Sequence, residues 1–88
     1  MNTVIISATI NEKKRAEFFQ TTESLQSLIN KYCSDLKISV DSRNNVAISI
    51  SFEGNKQLEN YYSKDEFKIF KGTLRSLCDN VEIKTELS

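Results

Sequence analysis

The side chains of this chain that could do chemistry gather in one stretch, Leu58 to Cys78, with the sequence LENYYSKDEFKIFKGTLRSLC. It carries Tyr61, Tyr62, Lys71 and Cys78, that is, two phenols, an amine and a thiol. A phenol can donate a hydrogen bond to a charge-bearing oxygen, and a lysine can act as acid or base once burial displaces its pKa. The chain has no histidine, which removes the commonest general base and the commonest metal ligand, so no metal site is expected. Cys33 and Cys78 stand far apart with no Cys-x-x-Cys pairing. Each lies near the end of a helical pattern among apolar residues, where a free thiol behaves as a small hydrophobe.

The rest of the composition is that of an ordinary folded domain. Eighty-eight residues suffice for one domain, residues 1–88, with a single layered core. Lys plus Arg equals Asp plus Glu, so no net field draws in nucleic acid or an anionic membrane surface. No apolar run approaches the roughly 18 residues of a membrane span. The opening MNTVIISATI lacks a basic leader region and runs straight into NEKKR, which is no signal peptide. The expected location is cytoplasmic.

The elements that must position the reactive stretch follow from periodicity. Residues 3–10, TVIISATI, alternate as a strand with Val4, Ile6, Ala8 and Ile10 on one face. Asn11 is a plausible N-cap before EKKRAEFF. Phe18, Thr22, Leu25, Leu28, Ile29, Tyr32 and Cys33 then recur at helical steps, giving an amphipathic helix from 12 to about 33. From Leu36 the period changes to two. Leu36, Ile38 and Val40, the turn DSRNN, and then Val46, Ile48, Ile50 and Phe52 read as an antiparallel hairpin. Gly54-Asn55 stops that strand and opens a short helix, roughly 55–62, with Leu58, Tyr61 and Tyr62 inward.

Ser63 with Glu66 three residues later has the spacing of a capping box, and Tyr62 with Phe67 that of a hydrophobic staple. A helix from Lys64 to about Cys78 follows, carrying Phe67, Phe70, Leu74 and Leu77. Gly72 in its middle marks either a close helix–sheet approach or a tolerated weak spot. Asp79-Asn80 ends it, and Val81, Ile83 and Thr85 alternate in a last strand.

The order β-α-β-β-α-β is the split βαβ of ferredoxin-like domains: α+β, a four-stranded antiparallel sheet with helices on one face, the second helix broken in two. Val4, Ile6, Ile38, Ile48, Ile50 and Ile83 then make the core. The opposite sheet face carries Ile5, Ser7, Thr9, Ala47, Ser49 and Ser51. It lacks the aromatics on which an RNA-recognition sheet stacks bases, so nucleic acid is excluded. Asn11-Glu12 stands where a metal chaperone of this fold keeps a cysteine pair, and the turn lacks the glycines of an acylphosphatase.

Taken whole, the chain resembles the antibiotic biosynthesis monooxygenase-like (ABM) family of dimeric α/β-barrel proteins. The likeness runs from ATINEKKRAEFF through the hairpin to the end. Its most telling part is LENYYSKDEFKIFKGTLRSLC, where a helix turn leads through Ser-Lys-Asp-x-Phe into a second helix with Phe67-x-x-x-x-Gly72-Thr73 and Leu77-Cys78. The resemblance implies a homodimer of face-to-face sheets and a pocket between helices and sheet. That pocket would be lined by Ile6, Phe52, Tyr61, Tyr62, Phe67 and Lys71. Characterised members oxidise quinols or polyketide aromatics without metal or flavin, degrade haem, or isomerise a sugar derivative. A small aromatic ligand and no cofactor are therefore implied here.

The family's frequent Glu-x-Trp falls on Ile50 and Phe52, and its short-helix histidine or tryptophan on Tyr61. The haem degraders' Asn, Trp and His fall near Ile6, Tyr61 and Lys71, which leaves no axial histidine and sets that activity aside. Tyr61 is the best catalytic candidate, as a hydrogen-bond donor to a phenol; the weightier reading of both tyrosines is as core aromatics whose hydroxyls reach the surface. Two functions stay open: cofactor-independent oxidation of a small aromatic or quinol, and a non-catalytic binding or dimerisation module. An isomerase or lyase using tyrosine and lysine would need a displaced pKa.

Overall fold

The computed structural model describes residues 2–86, with the side chains of Leu25, Leu28 and Tyr62 outside that description. The alternation of the opening residues forms β1, Asn2–Ile10, which buries Val4, Ile6, Ala8 and Ile10. The Asn11 side chain accepts the Lys13 N–H at 3.0 Å and caps one 3₁₀ turn, Glu12–Lys14, which leads into α1, Arg15–Ile29. The hairpin pairs β2, Asp35–Val40, with β3, Asn45–Phe52. Asp41 organises its turn: the carboxylate accepts the Arg43 and Asn45 N–H groups at 2.8 and 2.9 Å. The Asn45 hydrogen bonds hold the Asp41 carboxyl below its usual range. Two helices, α2 at Asn55–Tyr62 and α3 at Asp65–Leu77, lead into β4, Cys78–Glu86.

All pairings are antiparallel in the order β2-β3-β1-β4, so β1 and β3 are central as expected. One cluster of buried side chains joins Val4, Ile6, Ile48 and Ile50 of the sheet to Phe18, Ile29, Phe67, Phe70 and Leu74 of the helices. Ile38 and Ile83, on the two edge strands, are half-buried against it.

Three details differ from the expectation. The helix expected to reach residue 33 ends at Ile29, because Ser34 already gives its N–H to Ser51 at 2.7 Å and the chain must turn first. The capping box is not formed. Ser63 closes α2 instead, its hydroxyl donating to the Asn60 carbonyl at 2.9 Å, and Lys64 takes the extended cap position of α3 without a side-chain bond. The expected staple partner Tyr62 has its side chain outside the described set. Asp79 and Asn80, expected as a helix stop, are strand residues. Between Ser7–Thr9 and the facing residues 79–82 the register slips by one, and Asn80 has φ 54° there. An extra residue in left-handed geometry is a β-bulge, and it lets Cys78 share the core face with Val81 and Ile83 despite their odd spacing.

Gly72 is exposed, and a Cβ built on it meets nothing within 4 Å. It is a tolerated weak spot, not a close approach. Gly72→Ala is therefore expected to stabilise α3 by about 0.8–1 kcal/mol, read as a rise in urea midpoint at unchanged slope. A loss of stability would mean the helix needs the freedom of glycine there.

Candidate functional site

The short helix α2 sets the site, and it is pinned at both ends. The buried Asn2 amide at the start of β1 donates to the Asn55 side-chain oxygen. The Gln57 side-chain oxygen accepts the Glu53 N–H at 2.7 Å. At the far end Ser63 and Lys64 return their N–H groups to the Glu59 and Tyr61 carbonyls. Helical spacing then turns Leu58 and Tyr61 inward together.

Tyr61 is fully buried within a ring of aromatics. Its centroid lies 5.2 Å from Phe52, 4.6 Å edge-on from Phe67 and 6.3 Å from Tyr32. The rings have left its hydroxyl without a hydrogen-bond partner among the described residues. Such groups are rare because each costs about 1–3 kcal/mol. Burial pushes the phenol well above its ordinary pKa, and the neighbouring Cys33 and Glu66 add to the shift. Tyr61 therefore stays protonated: a donor, not a base. Burial likewise raises the thiols of Cys33 and Cys78, with Asp35 and Asp79 contributing, which keeps both in the unreactive form.

Tyr61 also lines a cleft of about 380 Å³ between the end of α1 and α2, together with Lys31, Tyr32, Gln57, Asn60 and Lys64. The Lys64 ammonium lies 5.7 Å over the Tyr32 ring, a cation–π placement. Among the described residues the two lysines are the charged side chains lining it. The candidate residues are thus divided. Ile6, Phe52 and Phe67 are fully buried core and line no cleft described here. Lys71 is half-exposed one turn beyond Phe67, its ammonium 4.9 Å over that ring. The Tyr62 side chain falls outside the described residues. Only Tyr61 joins core and cleft. Ile50, at the first Glu-x-Trp position, is also fully buried.

A wider groove of about 500 Å³ runs between α1 and the edge strand β2, with Phe18, Phe19, Ile38 and Val40 along it. Arg15 stacks 5.1 Å over the exposed Phe19 ring and donates to the Asn44 side chain. Glu23 lies in the same groove, so its charges oppose each other. Among the described residues no cluster of His, Cys, Asp or Glu could hold a metal ion. No helix there is long and apolar enough to cross a membrane.

Neither a family model nor a curated protein matches this sequence. Solved structures do. A protein from Deinococcus radiodurans, provisionally named an antibiotic biosynthesis monooxygenase, superposes at TM-score 0.86 with 11% identity, over 100% of this chain and 92% of its own. A conserved protein from Methanosarcina mazei gives 0.84 at 19% identity, over 97% and 89%. An uncharacterised NIPSNAP domain protein from Burkholderia xenovorans gives 0.71 at 14% identity, over 100% and 94%. At these identities it is the architecture that is shared, and the expected α+β ferredoxin-like topology is the one observed. The chain has the fold of the antibiotic biosynthesis monooxygenase-like proteins.

Proposed function

We propose that this protein binds a small planar phenol or quinol in the cleft at Tyr61 and oxidises it with O₂, the substrate itself supplying the electrons. The observation that carries the reading is Tyr61, whose buried hydroxyl has no partner among the described residues, lining a cleft with Tyr32 and two amide side chains. A ligand oxygen would give that donor its acceptor, and the surrounding rings would exclude water. For a phenol with a free ring position the step balances: the ring C–H and the phenol O–H lose both hydrogens, which leave as water with one atom of O₂, and the other atom enters the ring carbon to complete a quinone.

Binding without turnover is the second reading. It is favoured by Tyr61 staying protonated and by Ile50 and Phe52 standing, fully buried, where catalytic relatives keep Glu-x-Trp. Titration with a panel of phenols and quinols under O₂, following both binding and oxygen uptake, separates the two. Uptake that is lost in Tyr61→Phe supports oxidation; saturable binding with no uptake supports the binding module. No binding at all would overturn both.

The same reading pairs two copies through the open sheet faces. Register sets Ser7 beside Ala47 and Thr3 beside Ser51, side chains small enough for a second layer to approach, with Ile5 between them as an apolar contact. Sedimentation at micromolar concentration should give a dimer that Ser49→Arg converts to monomer. A wild-type monomer would sink the pairing.

A further inference from the structure

Resting on that reading of the cleft, we infer that its ligand is an aromatic acid: a ring with a neutral phenolic hydroxyl at one end and a carboxylate or similar anion at the other. The two ends of the cleft differ in kind. Its exposed rim carries Lys31, from the turn after α1, and Lys64, from the link between α2 and α3, and no carboxylate among the described residues lines it. Two lysines from separate elements line this one cleft, a cationic mouth on a chain whose net charge is zero. The Lys64 ammonium is also held, since it rests over the Tyr32 ring at 5.7 Å. Gln57 adds to this polarity. Its oxygen is taken by the Glu53 N–H at 2.7 Å, which leaves its N–H₂ as the donor end.

The floor is different. Tyr61 closes it, with a buried hydroxyl that has no partner among the described residues, and Glu66 is the carboxylate that acts on that hydroxyl through space. A negative charge delivered to the floor would meet Glu66 in a low-dielectric setting, whereas a neutral phenol oxygen could accept from Tyr61. The anion therefore belongs at the lysines and the neutral phenol at the tyrosine. Between them the Tyr32 ring, tilted 41° against Tyr61 with centroids 6.3 Å apart, gives the cleft an aromatic wall. The α1–β2 groove lacks this polarity, because Arg15 and Glu23 share it.

The test compares 4-hydroxybenzoate with its neutral isostere 4-hydroxybenzamide, titrated into the full chain and followed by calorimetry and backbone amide shifts. The benzoate is expected to bind about tenfold tighter at low salt, an amount two partly exposed charge pairs can supply. That advantage should shrink as salt is added. Lys31→Gln and Lys64→Gln should each cost the benzoate several-fold more affinity than they cost the amide, with the largest shifts at residues 31, 32 and 60–64. Equal affinity for the two ligands would overturn the anionic assignment and leave the phenol cleft standing. Failure of both to shift these residues would overturn the cleft, and this inference with it.

Discussion

Tyr61→Phe makes the protein more stable and a poorer binder. Removing a buried hydroxyl that has no partner among the described residues relieves a desolvation penalty of about 1–3 kcal/mol, while the ring keeps its neighbours at 4.6 and 5.2 Å. In a chain of this size each kcal/mol is worth roughly 4–8 °C of melting temperature, so the gain is large enough for a simple thermal scan. The same change removes the donor proposed for the ligand oxygen, and a neutral hydrogen bond worth about 0.5–1.5 kcal/mol corresponds to roughly 2–10-fold in affinity. The two effects have opposite signs, which a merely structural tyrosine would not give. Alkaline pH sharpens the comparison. Burial raises the folded-state pKa of Tyr61, so below about pH 10, the ordinary value, folded and unfolded chains are both protonated and this group adds no slope. As pH rises past that value the unfolded chain releases the proton first, and stability falls. Tyr61→Phe lacks that loss, whereas the raised thiols of Cys33 and Cys78 act alike in both proteins and cancel. A Tyr61→Phe protein less stable than wild type would show that the hydroxyl has a partner after all.

The fold was legible where one physical signal ruled locally. Strict alternation from Val4 to Ile10 and from Val46 to Phe52 could only place those residues on one face of a sheet, and both runs are the buried centre. The errors fell where one residue had two uses. Ser63 has the spacing of an N-cap, but the preceding helix uses its hydroxyl first. Tyr32 and Cys33 continue the apolar spacing of α1, yet they lie on the turn after it and still pack against the core. Asn80 reads as a helix stop, and its tolerance of positive φ serves a bulge instead. The site was legible only in part, for a related reason. Tyr61 lies on a short amphipathic helix, so its burial follows from spacing. Lys31 and Lys64 look like solvated surface charges along their own segments, and they become a cationic mouth only because α1 ends beside α2. No local period carries that crossing.

The second large effect is expected at Phe67, and it separates core from pocket. The family resemblance makes Phe67 a pocket-lining residue; the structure surrounds it with Tyr61 at 4.6 Å and the Lys71 ammonium at 4.9 Å, with no surface exposed. Truncation at such a position loses the transfer free energy of the ring and opens a cavity that the neighbours only partly fill, so Phe67→Ala is expected to cost about 3–5 kcal/mol. The aromatic pair with Tyr61 and the cation–π placement of Lys71 both disappear with the ring, each worth roughly 0.5–1.5 kcal/mol. A chain of this length has in total roughly 4–13 kcal/mol to lose, so urea titration should find the variant partly unfolded or with a sharply lowered midpoint. Because an unfolded variant says nothing about binding, Phe67→Leu is the companion. It keeps most of the volume, should fold, and should retain ligand affinity with a smaller loss of stability. A pocket wall would respond in reverse: truncation to alanine would leave the midpoint near wild type and change which ligands bind. If Phe67→Ala behaves that way, the cleft at Tyr61 extends under α3, and Phe67 belongs to the binding surface instead of the core.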